Sequence, residues 1–192
     1  MASPRPSDHP PLPAVFLDRD GTLVDDPGFL KDPGDVRLLD GAAQAIARLN
    51  GAGLLVIVVT NQGGIARGLL TEEDYARVAA RVGDLLRVDG AHVDATYHCP
   101  HFPAISGPCD CRKPGLAHYR DAARRFGITF ASSWFVGDRP SDLQPAAALG
   151  GRGILVCTGH GREHEKWARS SGFQVADDLG DAVSIILATP PA

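Results

Sequence analysis

Residues 14–24 have the sequence Ala-Val-Phe-Leu-Asp-Arg-Asp-Gly-Thr-Leu-Val, in which four apolar residues precede two closely spaced acids. The apolar run predicts a short strand that a parallel sheet buries on both faces. Asp18 and Asp20 then follow the carboxyl end of this strand, which is where open α/β sheets bind ligands. Desolvating two carboxylates is costly unless a cation accompanies them. A solvated turn would also explain the two acids, so the choice rests on the rest of the chain.

Further apolar runs alternate along the chain with segments of helical periodicity. Strands are predicted over residues 54–59, 93–98, 134–136 and 154–157. Helices are predicted over residues 41–50, 71–88, 115–126 and 142–149, followed by a helix, a strand and a helix over 163–188. This alternation predicts an α/β fold with a Rossmann-like, doubly wound parallel sheet. We expect one domain over residues 14–192, preceded by a disordered Pro-rich tail over residues 1–13.

Composition and charge narrow the class of protein. The chain has 192 residues, of which 44% are hydrophobic and 22% are charged, as in an ordinary globular domain. A formal net charge of -4 provides no basic surface for nucleic acid or for a membrane. The opening segment lacks the apolar core of a secretory signal. We therefore expect a cytoplasmic monomer that has neither a nucleic-acid nor a membrane partner.

Polar side chains at three predicted strand ends form the candidate site. Asp18 and Asp20 follow the first strand, Thr60 ends the second, and Asp138 follows the fourth. Lys113 lies after a segment that contains several cysteines. Singly, Lys113 would be a surface lysine and Asp138 a helix cap. Together these groups suit a Mg²⁺-assisted phosphoryl site, which needs carboxylate ligands, positioning and neutralisation of phosphoryl oxygens.

The order and spacing of these motifs resemble those of the haloacid dehalogenase (HAD) superfamily of phosphatases. The resemblance is carried by Asp18-x-Asp20-Gly-Thr, Thr60, Lys113 and Gly137-Asp138, and it spans nearly the whole chain. Because no large insertion separates the motifs, it implies a member without a large cap domain. It also implies a phosphoric monoester hydrolase.

The resemblance implies a role for each matching residue. Asp18 would be the nucleophile and would form an aspartyl-phosphate. Asp20 would protonate the leaving alkoxide and then deprotonate the attacking water. Thr60 and Lys113 would hold the phosphoryl oxygens, and Lys113 would also neutralise Asp18.

Metal binding is implied by the same resemblance. Mg²⁺ would be bound by Asp18, by Asp138 and by the backbone carbonyl of Asp20. Asp142, one helical turn further on, would support these ligands from behind.

The segment of residues 99–111 offers three thiolates and one imidazole as metal ligands. The donor residues are Cys99, His101, Cys109 and Cys111. This closed Cys₃His set is typical of structural rather than catalytic Zn²⁺, and clustered cysteines in a reducing compartment indicate a metal rather than disulfides. We expect Zn²⁺ to fix a loop without secondary structure of its own and thereby to position Lys113. Three reduced cysteines with a bystander histidine are the alternative.

The zinc segment narrows the resemblance to a subgroup that contains heptose-bisphosphate and histidinol-phosphate phosphatases. Residues 60–68, Thr-Asn-Gln-Gly-Gly-Ile-Ala-Arg-Gly, are similar to the heptose enzymes. That similarity implies hydrolysis of the C7 phosphate of D-glycero-D-manno-heptose 1,7-bisphosphate. The short spacing from His101 to Cys109 is nearer to the histidinol-phosphate type, which stays open as a second enzyme. A catalytically silent zinc module that binds other macromolecules is the non-enzyme alternative.

Substrate contacts are expected from residues that adjoin these motifs. Arg112 carries a planar guanidinium fork that suits the second phosphate of a bisphosphate, although a surface ion pair is the alternative. The full set of expected contacts is Arg19, Asp26, Asn61, Gln62, Gly63, Arg67, Arg112 and Arg139.

Overall fold

The computed structural model describes residues 12–190, and its centre is one six-stranded parallel sheet. The strands are β1 (Ala14–Leu17), β2 (Leu55–Asn61), β3 (Ala95–Cys99), β4 (Trp134–Gly137), β5 (Arg152–Val156) and β6 (Gln174–Ala176). Their order across the sheet is β3-β2-β1-β4-β5-β6. Val15 of β1 lies opposite Val56 of β2 and Trp134 of β4. Because the direction of winding reverses between β1 and β4, their carboxyl ends flank the usual ligand position of this architecture.

Helices cover both faces of the sheet within the described part of the chain. They are α1 (Ala42–Gly51), α2 (Glu72–Val88), α3 (Pro103–Ser106), α4 (Ala117–Phe126), α5 (Pro140–Leu149), α6 (Gly161–Ser170) and α7 (Leu179–Ala188). Val15 and Leu17 pack in one core with residues of α1, α2 and α7. Ala14 and Phe16 point the other way, into a core with residues of α4 and α5. Burial on both faces explains why β1 is apolar without alternation.

The predicted doubly wound parallel sheet without a large cap domain is confirmed, although some boundaries differ. The helix that the sequence predicts from residue 142 begins at Pro140. Proline suits the first helical position, and Asp142 Oδ2 accepts a hydrogen bond from Arg139 N at 2.9 Å. Pro145 therefore lies inside the helix rather than in its first turn, where it removes one helical hydrogen bond.

The segment of residues 99–111 has more local structure than the sequence predicts. Helix α3 forms a single turn within it, with Pro103 at its first position. Ser106 Oγ accepts a hydrogen bond from Phe102 N at 2.9 Å and donates one to Phe102 O at 3.0 Å. The expectation of a loop without secondary structure is wrong, because this pairing closes a turn locally.

The described chain begins beside the end of α4. Leu12 N donates to Gly127 O at 3.0 Å, and Leu12 O accepts from Thr129 N at 3.1 Å. Apart from Leu12 and Pro13, the tail predicted over residues 1–13 lies outside the described residues. That tail and the single domain over residues 14–192 stay predictions. Among residues 12–190 no helix combines the length and hydropathy that a membrane crossing requires.

Truncating Phe16 should destabilise the protein strongly, because its ring is enclosed by other aromatic rings. Its centroid lies 4.9 Å from that of Phe135 and 5.2 Å from that of Tyr119, and the residue is 2% exposed. We expect Phe16→Ala to lower the free energy of unfolding by about 3–5 kcal/mol in urea titrations. The control Val88→Ala, at a residue 83% exposed, should stay within about 0.5 kcal/mol of the wild type. Equal losses in the two variants would contradict the packing described above.

Candidate active site

A cavity of about 390 Å³ opens at the carboxyl edge of the sheet. Asp18 follows β1 directly, and Thr60 lies near the end of β2. Lys113 reaches the same cavity from the segment that precedes α4, and Asp20 completes the set. The structure therefore brings together the side chains that the sequence predicts to be catalytic.

Lys113 is held at the floor of this cavity by three oxygen atoms. Its Nζ lies 2.5 Å from Asp18 Oδ1, 2.8 Å from Asp142 Oδ1 and 2.7 Å from the Val59 carbonyl oxygen. Both the lysine and the two acids are buried. A buried ammonium needs such partners, and each of its three donors has one here.

Burial and mutual repulsion among the acids shape the electrostatics of the site. Burial raises the pKa of Asp18 to about 8, with Lys113 opposing that rise and Asp142 adding to it. Burial also raises the pKa of Asp138. Burial alone would lower the pKa of Lys113, but the Asp142 and Asp18 carboxylates outweigh it and raise this pKa. Lys113 therefore keeps its proton, and one ammonium faces three carboxyl groups, which favours binding of a further cation.

The acids fit Mg²⁺ in both chemistry and placement. Asp18, Asp138 and Asp142 each bring a carboxylate oxygen to a common point, with these atoms within 4.8 Å of one another. Asp138 is 0% exposed, and its Oδ1 has no hydrogen-bond partner among the described residues. Its Oδ2 accepts a hydrogen bond from His160 N at 2.8 Å. Asp138 Oδ1 lies 3.9 Å from Arg139 Nε, too far for a hydrogen bond, so this buried oxygen is available to a metal. Carboxylate oxygens are hard donors of the kind that Mg²⁺ prefers.

The carboxylate of Asp138 is packed against backbone that leaves no room for a side chain. Gly21 has a φ of +82°, and a Cβ atom there would lie 2.5 Å from Asp138 Oδ2. The Gly-Thr turn after Asp20 is therefore required both by its left-handed conformation and by its contact with Asp138.

The side chain of Asp20 has hydrogen-bond partners other than the three clustered acids. Its carboxylate accepts hydrogen bonds from Arg19 Nε and Nη2, each at 2.9 Å, and from Gln62 Nε2 at 2.8 Å. Thr60 Oγ1 donates to the same group at 3.3 Å. Asp142, rather than the Asp20 side chain, is the third acid of the cluster.

Asn61 connects the end of β2 to the backbone of Lys113. Its Oδ1 accepts from Lys113 N at 2.9 Å, and its Nδ2 donates to Lys113 O at 3.2 Å. Asn61 thus holds the backbone of Lys113, while Asp18 and Asp142 hold its Nζ. The lysine is fixed at both ends.

Most of the expected substrate contacts line the cavity, but two do not. Those that line it are Asp26, Asn61, Gln62, Gly63, Arg112 and Arg139. Arg19 is buried behind the site, at 3% exposed, and pairs with Asp20. The Arg67 guanidinium lies over the rings of Phe29 and Phe102, at 5.1 and 5.3 Å from their centroids. Its burial rules out Arg19 as a direct contact, whereas a contact of Arg67 with the substrate stays a prediction.

The cavity also has walls that the sequence analysis does not single out. Gly28 and Phe29 come from the Gly/Pro-rich loop after β1, and Ser141 comes from the first turn of α5. The signal for Phe29 is that it is the single aromatic residue of the Gly/Pro-rich residues 25–40.

The four zinc-ligand candidates, Cys99, His101, Cys109 and Cys111, meet at one point. Their donor atoms all lie within 4.8 Å of one another. Cys99 Sγ lies 3.7 Å from Cys109 Sγ and 3.2 Å from Cys111 Sγ, and His101 Nδ1 lies 3.2 Å from Cys111 Sγ. A tetrahedral site with Zn–S bonds of about 2.3 Å places sulfur atoms roughly 3.8 Å apart. The cluster could therefore hold Zn²⁺ with little rearrangement.

Comparisons with known proteins give the same class. A family model described as HAD-hydrolase-like matches residues 110–182. The D-glycero-beta-D-manno-heptose-1,7-bisphosphate 7-phosphatase of Bordetella bronchiseptica is 39% identical over 90% of this chain and 97% of its own length. The enzyme of that name from Photorhabdus laumondii is 38% identical over 77% of this chain and 82% of its own.

Solved structures extend the likeness to the whole fold. The crystal structure of D,D-heptose 1,7-bisphosphate phosphatase from B. bronchiseptica, complexed with magnesium and phosphate, superposes with a TM-score of 0.84 at 38% identity. The match covers 92% of this chain and 98% of that one. The chain therefore belongs to the HAD-like hydrolases. Within that class, the curated relatives named above share one name, that of the heptose-bisphosphate 7-phosphatase.

Removal of the metal from the Cys₃His cluster should weaken folding as well as activity. A metal ion present at about 100 times its Kd adds roughly 2.7 kcal/mol to the free energy of unfolding. Chelation should therefore lower the melting temperature by roughly 5–10 °C. Cys109→Ser should show the same loss together with a loss of bound zinc, measured by elemental analysis. Cys157→Ala, a buried cysteine outside the cluster, serves as the control and should retain zinc. An unchanged melting temperature after complete zinc removal would exclude a structural metal.

Proposed function

We propose that the protein is a Mg²⁺-dependent phosphatase that removes the C7 phosphate of D-glycero-D-manno-heptose 1,7-bisphosphate. The observation that carries the proposal is the buried group of Asp18, Asp138, Asp142 and Lys113 at the floor of the cavity. It supplies a nucleophile, a cation site and a fixed ammonium in one place. The names of the relatives support the substrate.

The first chemical step follows from the placement of Asp18 and Asp20. A carboxylate oxygen of Asp18 attacks phosphorus, and the bond from phosphorus to the sugar oxygen breaks with its electron pair going to that oxygen. The Asp20 carboxyl group gives its proton to the same oxygen, which leaves as an alcohol. Lys113 supplies a fixed positive charge beside the phosphoryl group, and Thr60 turns its hydroxyl from Asp20 to a phosphoryl oxygen when the substrate binds.

The second step regenerates the enzyme. Water gives a proton to Asp20 while its oxygen attacks the phosphorus of the aspartyl-phosphate. The bond from phosphorus to Asp18 then breaks, and inorganic phosphate is released with the carboxylate restored. When bound, Mg²⁺ supplies positive charge that neutralises the phosphoryl group and the acids around it.

The distal phosphate of the substrate is assigned to two arginines on the cavity wall. Arg112 Nη1 donates to His101 O at 3.2 Å, so its guanidinium is anchored to the zinc segment. Arg139 Nη2 lies 3.6 Å from Asp26 Oδ2, and its side chain is 44% exposed. Guanidinium groups bind phosphate in a planar, two-point manner, which suits a bisphosphate.

We further propose a cytoplasmic monomer. A reducing compartment keeps the three cluster thiols available for metal, and the acidic net charge of -4 gives nucleic acid and membranes no basic surface.

The substrate is tested by phosphate release in the presence of Mg²⁺. The α and β anomers of heptose 1,7-bisphosphate and histidinol phosphate are assayed in parallel, with Asp18→Asn as the blank. We expect a higher kcat/KM for a heptose bisphosphate and no turnover in the blank, because that variant lacks the nucleophile. A preference for histidinol phosphate would contradict the proposed substrate. Activity in the Asp18→Asn variant would contradict the assignment of Asp18 as the nucleophile.

The role of Arg112 is tested by comparing a substrate that has two phosphates with one that has a single phosphate. Loss of a charged hydrogen-bond donor costs about 1.5–3 kcal/mol, so Arg112→Met should raise KM for the bisphosphate roughly 10- to 100-fold. The KM for p-nitrophenyl phosphate, which has no second phosphate, should change little. Arg120→Met, at an exposed arginine of α4, is the matched control. An equal rise in KM for both substrates would show that Arg112 does not select the distal phosphate.

A further inference from the structure

Arg19 stands between the two acids of the first motif, yet its side chain is buried behind the cavity. The guanidinium forms a two-point contact with Asp20, from Nε to Oδ1 and from Nη2 to Oδ2, each at 2.9 Å. The arginine is 3% exposed, and its Nη1 has no hydrogen-bond partner within residues 12–190. Such a pair contributes little net stability, because desolvation offsets the attraction. What the two-point contact does fix is the direction in which the Asp20 carboxyl group points.

A second layer fixes Arg19 from behind. Its guanidinium lies over the ring of Tyr75 of α2, at 5.6 Å from the centroid. That ring in turn stacks on the imidazole of His98 at 3.9 Å, and His98 Nε2 lies 2.8 Å from Glu72 Oε2. The guanidinium therefore cannot swing away from Asp20 without breaking contacts made by α2 and β3.

Side-chain donors hold Asp20 from the cavity side as well. Gln62 Nε2 donates to Asp20 Oδ2 at 2.8 Å and to Thr60 Oγ1 at 2.9 Å. Asp20 is consequently contacted from two directions, with its side chain 19% exposed toward the cavity. A carboxyl group held in this way has one orientation, as efficient proton transfer requires.

We propose that Arg19 is a positioning residue that aims the carboxyl group of Asp20 at the leaving oxygen. The proposal rests on the proposed function, in which Asp20 handles the proton. When the bond from phosphorus to the leaving oxygen breaks, that oxygen takes the proton and Asp20 becomes a carboxylate. The fixed guanidinium fork then faces the new negative charge until water returns a proton in the second step. Lysine would keep the charge but lose the two-point orientation.

The test compares two phosphate esters that differ in their need for a proton. 2,4-Dinitrophenolate leaves without protonation, whereas phenolate benefits from it. Because kcat/KM reports the step in which the leaving group departs, its ratio between the two esters isolates the acid role from folding and from Mg²⁺ binding. Arg19→Gln should lower kcat/KM for phenyl phosphate roughly 10- to 100-fold and change it less than about threefold for 2,4-dinitrophenyl phosphate.

Further variants separate positioning from stability. Arg19→Lys should give an intermediate selective loss, and Tyr75→Leu, which removes the ring behind the guanidinium, should lose the same substrate selectively. Arg81→Gln makes the same change at an exposed arginine of α2 and should leave both rates unchanged. Melting temperatures are recorded for each. If Arg19→Gln does not fold, the Lys and Tyr75 variants carry the test.

The Asp20→Asn variant separates the acid role of Asp20, which belongs to the proposed function, from the positioning role of Arg19. A selective loss with phenyl phosphate in Asp20→Asn and in the Arg19 variants supports both. A selective loss in Asp20→Asn with equal losses for the two esters in the Arg19 and Tyr75 variants overturns the positioning role and leaves the mechanism intact. Equal losses for the two esters in Asp20→Asn overturn its acid role, and the positioning role with it.

Discussion

The buried ammonium group of Lys113 is the interaction on which the site depends. It joins Asp18 at the end of β1 to Asp142 on α5. Because all three groups are buried, water does not replace these contacts. Lys113 follows the segment of residues 99–111 by two positions, so its place depends on that segment as well as on the sheet. The sheet, helix α5 and the cysteine-containing segment are thus connected through one charged atom.

The excess of acids around this ammonium group explains why the site favours a further cation. Three carboxyl groups lie close together in the sheet edge, and a single ammonium cannot balance them. Most proteins avoid such a cluster, since unpaired buried charge is expensive. Here the three acids lie together, and their combined charge favours binding of a divalent cation.

The parts of the site that follow a strand could be predicted from the sequence, because the end of an apolar run fixes where a residue lies in the sheet. Asp18, Thr60 and Asp138 belong to this group. The direction of a side chain beyond the strand depends on the turn. For this reason the sequence predicts Arg19 in the cavity, whereas its side chain lies behind it. Phe29 belongs to a loop without periodicity, so its place followed only from the folded chain.

The aromatic and guanidinium contacts at the cavity mouth have a consequence for how such an enzyme can change its preference. Phe29, Arg67 and Phe102 come from the loops after β1, β2 and β3, respectively. The Arg67 guanidinium lies over both aromatic rings. Because the Arg67 guanidinium contacts both rings, a shift of the loop after β2 would remove the support of Phe29 and of Phe102 together. Evolution or protein engineering of a new specificity would therefore have to exchange the three loops as a matched set, while the sheet beneath them stays the same.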